Sequence, residues 1–222
     1  MTLPLLLSLR VAALSALIAA IFGIALAFLL ANKQGVLWHL LDGLIHLPMV
    51  LPPTVLGYYL LIALSQRSPL GAWLSNLGIH LTFTWQGAVV AASVVALPLV
   101  TQSARAAIES IPADLLHVAS TLGRAPFAIF LTITLPLAWR GVLAGVVMAF
   151  ARALGEFGAT LMIAGNIPGR TQTLPIAIYD AVQAGEAARA NQLSLLLTGA
   201  AIVLLVSIRL LTNRIASRPQ RS

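Results

Sequence analysis

Ionisable residues are scarce in this chain, so the few that stand in chemically useful register are quickly found. Arg152 and Glu156 lie four residues apart, the spacing that lets a cation and a carboxylate pair along one helix face. They sit in or beside an apolar run, where charges are costly and turn toward a protein interior or a pathway. Two roles suit them: a structural ion pair at a membrane boundary, or direct contact with a passing substrate. His39, Asp42 and His46 invite comparison with a metal site, but their spacing matches no standard one. They are expected to be interfacial polar residues. Carboxylates are too scattered for paired acid–base work, and no Ser-His-Asp arrangement can be built. With no Cys, thiol catalysis, thiolate metal sites and disulfides are excluded together. The stretch from Gly165 to Thr171 comes nearest to a nucleotide-binding loop and lacks both the spacing and the lysine. No catalytic residue, no metal and no bound cofactor are expected.

The elements that must hold these residues are apolar spans. Hydrophobic residues make up 59% of the 222 and charged ones 9%, against about 25% charged in soluble domains; the mean hydropathy is +0.97. The predicted fold is an all-α polytopic membrane protein of one domain. About five transmembrane helices are expected, near 11–31, 44–65, 87–106, 137–154 and 193–211. Val11 to Ala31 is an uninterrupted apolar run of 21 residues, long enough to span. Arg10 and the Ala25-Leu26-Ala27 triplet mimic a signal peptide, but the run is too long and further spans follow. Ala12, Ala16 and Ala20 form a small-residue stripe for close helix approach, and 32–43 reads as a short connecting loop.

Pro48, Pro52 and Pro53 interrupt the second span just before Thr54. A broken backbone at that depth is tolerated only where protein or a water-lined cavity re-satisfies it; a plain kink is the simpler alternative. Pro52, Pro53, Thr54, Arg152 and Glu156 are therefore the candidate pathway residues. Trp73 and Trp85, in the polar loop from Gln66 to Gln86, suit a membrane–water boundary. Gly141, Gly145, Ala149 and Ala153 repeat every four residues and predict a tight seam, either within the subunit or across a dimer axis. Leu161 to Ile167 is too short to span and reads as a re-entrant piece, followed by a polar loop from Asn166 to Gln192. Arg209 snorkels at the end of the last span. The net charge of +7 comes from thirteen basic residues placed singly between spans, the pattern of membrane topology and not of nucleic-acid binding.

The segment 110–136 differs from everything around it. Pro112 suits a first helical position, Asp114 the first turn, and Gly123 a helix stop at positive φ. Leu115, Val118, Ala119 and Leu122 share one face, with Asp114, His117 and Thr121 opposite. Pro126 can start a second short helix, and Pro136 bends the chain beyond it. Such a stopped, two-sided helix either is gripped from outside or packs only on its own chain.

This segment resembles the permease signature of bacterial ABC importers, Glu-Ala-Ala, three residues, Gly, nine residues, Ile, one residue, Leu-Pro. Ala119, Gly123, Ile133, Leu135 and Pro136 match with all spacings kept. His117 replaces the Glu and Val118 the first Ala, so docking, not an ionic contact at that position, is what the resemblance carries over. Two further stretches, His46 to Leu61 and Gly155 to Ala159, resemble molybdate-type permeases, the second also sulfate permeases. The resemblance implies a coupling helix contributed by Asp114, Leu115, His117, Val118, Ala119, Leu122, Gly123 and Arg124. It also implies two copies of a separate ATP-hydrolysing subunit, a second permease copy in a homodimer, and a periplasmic or surface-tethered oxyanion-binding protein. The implied substrate is molybdate, with tungstate handled alike and sulfate-type oxyanions as the near competitor. An ion-driven secondary carrier is the alternative from another class, though no internal repeat supports it.

With that loop inside the cytoplasm of a bacterial inner membrane, five spans put the N-terminus outside and the C-terminus inside. Lys33, Arg105, Arg124, Arg140, Arg209, Arg214, Arg218 and Arg221 then lie inside, and Arg10, Arg67, Arg152, Arg170 and Arg189 outside, a slight bias of the expected sign.

Overall fold

A computed structural model describes the backbone of residues 2–216 and the side chains of 3–207; Arg209, Arg214, Arg218 and Arg221 lie outside the described side chains. The chain order is α1 (Thr2–Leu30), α2 (Val36–Val50), α3 (Pro53–Leu64), α4 (Pro69–Asn76), α5 (Trp85–Glu109), α6 (Ala113–Thr121) and α7 (Pro126–Ile129). A π-helical turn (Phe130–Thr134) leads into α8 (Leu135–Leu154), then α9 (Gly158–Ala164), α10 (Leu174–Gln183) and α11 (Ala187–Ala216). Among the described residues, four helices are long and apolar enough to cross a membrane, and the bent pair α2–α3 makes up to five.

The centre of the bundle is α5, packed against α1 and α8, with α1 also touching α8. Its start is fixed locally: the Thr84 hydroxyl accepts a 3.2 Å bond from the Gly87 amide, the N-cap arrangement that satisfies an orphan donor. Close approach explains its neighbours' small residues. A Cβ on Gly145 would stand 3.1 Å from the Val100 Cα, and one on Gly141 would run into the Ala107 side chain. The Ser103 hydroxyl reaches across to donate to the Gly141 carbonyl at 2.7 Å. The Gly141–Ala153 stripe therefore forms a seam within the subunit. On α1 the seam runs through Ala12, Ser15, Ala16 and Ala19, all buried. Ala20 is only half-buried, because a 3.6-residue period carries it off the packed face.

Several boundaries differ from those expected. The first span begins two turns earlier, at Thr2, and the connection 32–43 contains the start of α2. The expected second span is two helices bent by 114°, because three prolines in six residues deny the helix both donors and room. The loop after it holds α4. Residues 126–154 run as one continuous spanning helix, so Ile133, Leu135 and Pro136 belong to the span and not to the loop. Its π turn sits directly before Pro136, where the proline ring crowds the ordinary helical acceptor. Likewise 166–192 is more than a polar loop. Leu174, Ile176, Ala177 and Ala181 of α10 are buried, and α10 packs against α11 and α1. The last span starts earlier, with α11 at Ala187.

The seam makes a direct prediction. Gly145→Leu should destabilise the detergent-solubilised protein by about 1–3 kcal/mol through overpacking. Gly199→Leu, where a side chain meets open space, should be close to neutral in the same thermal melt.

Candidate functional site

Two places bring the expected residues together. The first is the proline elbow. Leu51 is the C-cap of α2, and its amide donates to the Leu47 carbonyl at 3.0 Å; Pro52 caps α3, with its carbonyl accepting from Val55 and Leu56 at 2.9 and 3.1 Å. Pro52, Pro53 and Thr54 are exposed on this chain. The elbow leans on α9, where a Cβ on Gly158 would stand 3.0 Å from the Pro53 Cβ, and one on Gly57 would be 2.8 Å from the Ala159 Cα. These contacts join two segments about a hundred residues apart in the sequence.

Opposite the elbow stands Arg152, in the last turn of α8. Its Nη1 lies 2.7 Å from Glu156 Oε2, with the arginine side chain 36% exposed and that of the glutamate 1%. Glu156 Oε1 accepts from the Ala159 amide at 2.8 Å. One carboxylate thus caps the short helix α9, which runs Gly158–Ala164 where the sequence suggests a re-entrant piece over Leu161 to Ile167, and neutralises the guanidinium. The glutamate is the buried member of the pair and the arginine the partly exposed one. A cleft of about 170 Å³ opens between Arg152, Pro48, Leu51, Pro53, Val95 and Leu99. Arg152 and Pro53 therefore face the same space, whereas Glu156 stands behind Arg152, away from it.

The second place is the loop helix α6. Asp114 occupies its first turn. Its end is a Schellman stop: Gly123 takes φ +77°, its amide donates to Ser120 at 3.0 Å, and the Arg124 amide to Ala119 at 3.4 Å. Only Ala119 is buried. Leu115, Val118 and Leu122 are 50, 59 and 77% exposed, and Asp114, His117, Gly123 and Arg124 are exposed too. Among the described residues, only Ala119 of the apolar face is covered, and its three large side chains stay exposed. Arg124 Nη1 reaches Thr132 Oγ1 at 3.3 Å and ties the loop to the π turn, beside half-buried Ile133 and Leu135 and exposed Pro136.

One cluster escapes a reading of the sequence. Arg105, Asp42, Glu109 and His46 surround a second cleft near the end of α5. The Arg105–Glu109 and Asp42–His46 spacings of four are available signals, but reading 32–43 as a loop hides the helical register of Asp42. The His46 Nδ1 lies 2.8 Å from the Asp42 carbonyl, and among the described residues no three potential ligands gather around a metal position.

Glu156→Ala should lower stability by about 1–3 kcal/mol, since it strips the Ala159 amide and Arg152 of their partner. Glu156→Gln, which keeps an acceptor for that amide, should lose less. Denaturant or thermal unfolding of the two variants side by side checks the order.

Comparison with known proteins places this geometry. Residues 5–221 match the family described as binding-protein-dependent transport system inner membrane component. The molybdenum transport system permease protein ModB of Escherichia coli K12 is 44% identical over 205 residues, covering 91% of this chain and 90% of that protein. Its counterpart from Haemophilus influenzae is 44% identical over 216 residues, covering 97% and 93%; that from Azotobacter vinelandii is 40% identical over 189, covering 85% and 84%. Among solved structures, an inward-facing conformation of the MetNI methionine ABC transporter superposes with a TM-score of 0.73 at 18% identity, covering 94% of this chain and 93% of that one. That likeness speaks for the fold of ABC importer permeases. With a match over nearly its whole length, the chain belongs to the binding-protein-dependent transport system inner membrane components.

Proposed function

We propose that this chain is the membrane-spanning permease subunit of an ATP-driven importer that carries molybdate, with tungstate as an alternative cargo. The observation that carries the substrate is the 40–44% identity to molybdenum permeases over most of both chains. The geometry that fits the mechanism is α6, a stopped helix whose Leu115, Val118 and Leu122 side chains are exposed. An ATP-hydrolysing subunit would cover that face, one on each permease of a homodimer. ATP binding would draw the two ATPases together and push α6 as a lever. Packed helices then move as rigid bodies between inward- and outward-facing states.

Arg152 and the elbow Pro52-Pro53-Thr54 form the wall that the oxyanion passes. A bare guanidinium in low dielectric would hold an anion too tightly for turnover. Glu156 at 2.7 Å offsets that attraction, so the passing anion meets a donor group with little net charge. A periplasmic or surface-tethered binding protein delivers the oxyanion, and this chain supplies the path. In this orientation α6 is cytoplasmic and the N-terminus outside. Family membership favours an ATP-driven importer over an ion-driven carrier; a sulfate-type cargo is the competitor that an uptake assay separates.

The test is reconstitution of the chain with an ABC ATPase and an oxyanion-binding protein in proteoliposomes. Molybdate uptake should require ATP and exceed sulfate uptake; equal or greater sulfate uptake would reassign the substrate, and uptake without the ATPase would overturn the mechanism. Gly123→Asp should uncouple hydrolysis from uptake while leaving membrane insertion intact. A Cβ there meets no atom within 4 Å, but φ +77° strains any side chain and the added carboxylate sits beside the docking face.

A further inference from the structure

α2 carries no buried residue in this chain, and its principal neighbour is α5. Its directional contacts there are polar. The Arg105 Nη1 lies 3.0 Å from Asp42 Oδ1 on α2, while its Nε lies 2.8 Å from Glu109 Oε1 one turn further along α5. Glu109 Oε1 also accepts a 3.4 Å bond from the Asn32 amide just beyond α1. Asp42 is braced in turn by His46, whose Nδ1 stands 3.6 Å from Asp42 Oδ1. Arg105 thus sits where the ends of α1 and α5 meet α2, about two turns before the start of α6 at Ala113. In the other direction α2 runs to Val50 and ends in the elbow that lines the Arg152 cleft.

We propose that Arg105 is a positioning residue for transport: its simultaneous bonds to Asp42 and Glu109 make α2 move with the end of α5, so that displacement of α6 reaches the proline elbow. The inference rests on the importer reading and adds to it the route by which the push arrives. Apolar packing gives that link little stiffness, because no α2 side chain is fully buried and Trp38, Ile45 and Pro48 are only partly covered. The Arg105, Asp42 and Glu109 side chains are 27, 35 and 37% exposed, and pairs of that kind add little to global stability. Their removal is therefore expected to leave a folded, inserted subunit with its position in α2 loosened. The neutral variants remove the charge pairing from either side, and Asp42→Asn leaves Arg105–Glu109 in place.

The experiment compares wild type, Arg105→Gln, Asp42→Asn and the charge swap Asp42→Arg/Arg105→Asp. Each is assembled with the ATPase and the binding protein and assayed for both ATP hydrolysis and molybdate uptake. Each neutral variant should lose at least about 5-fold in uptake per ATP hydrolysed, the lower end of ordinary coupling between sites. The swap should recover most of that loss, because the guanidinium now carried by α2 can span the two carboxylates on α5. Wild-type uptake per ATP in Asp42→Asn, or a swap no better than the single variants, would overturn the proposal. If Arg105→Gln fails to assemble, Asp42→Asn and the swap still decide. Absence of ATP-driven uptake in the wild-type complex would instead overturn the importer reading itself.

Discussion

Hydrocarbon offers no hydrogen bonds, so an interrupted backbone within a bilayer has to be satisfied by the protein itself. The interruption between α2 and α3 sets that requirement, and much of the remaining architecture answers it. Two of the three residues at the bend, Pro52 and Pro53, have no amide hydrogen to satisfy, while the Pro52 carbonyl takes two amides from the next turn. The open side is covered by α9, brought to backbone contact through Gly57 and Gly158. That helix is itself only seven residues long, and it needs a cap. Glu156 supplies it, and Arg152 neutralises the buried charge so created. The break, its cover, the cap and the counter-ion are one linked arrangement.

Local chemistry was more legible in the sequence than geometry. The stop at Gly123, the restart at Pro126 and the Arg152–Glu156 pair depend on a few consecutive positions, and the structure places them as their spacing indicates. The 114° bend was not legible, because a kinked span and a folded-back hairpin of helices have the same composition. Span ends also moved. Hydropathy does not distinguish a leucine facing lipid from one packed on α11, so α10 was hidden in an apparently polar stretch whose inward residues, Leu174 and Ile176, are fully covered. The seam at Gly141 and Gly145 was visible as a stripe, but its partner, Ser103 to Ala107 on α5, required the fold. For α6, periodicity separated an apolar face from a polar one without telling which was covered. The structure covers neither, and only Ala119 is buried.

The distribution of close packing then says which parts can move. A side chain on Gly23, Gly141 or Gly145 would collide with α5, so α1, α5 and α8 interlock at backbone distance and have no nearby alternative packing. Such cores shift as blocks between discrete arrangements and do not deform gradually. The α2 arm is built in the opposite way: no side chain is buried, a proline elbow closes one end, and partly exposed ion pairs fasten the other. Ion pairs can exchange partners at small cost where packed glycines cannot. A transport cycle needs a rigid block to carry force and a lightly held wall to open and close around the cargo. On the proposed importer reading, the first is the three-helix centre and the second the bent pair, and the cleft at Arg152 lies where the two meet.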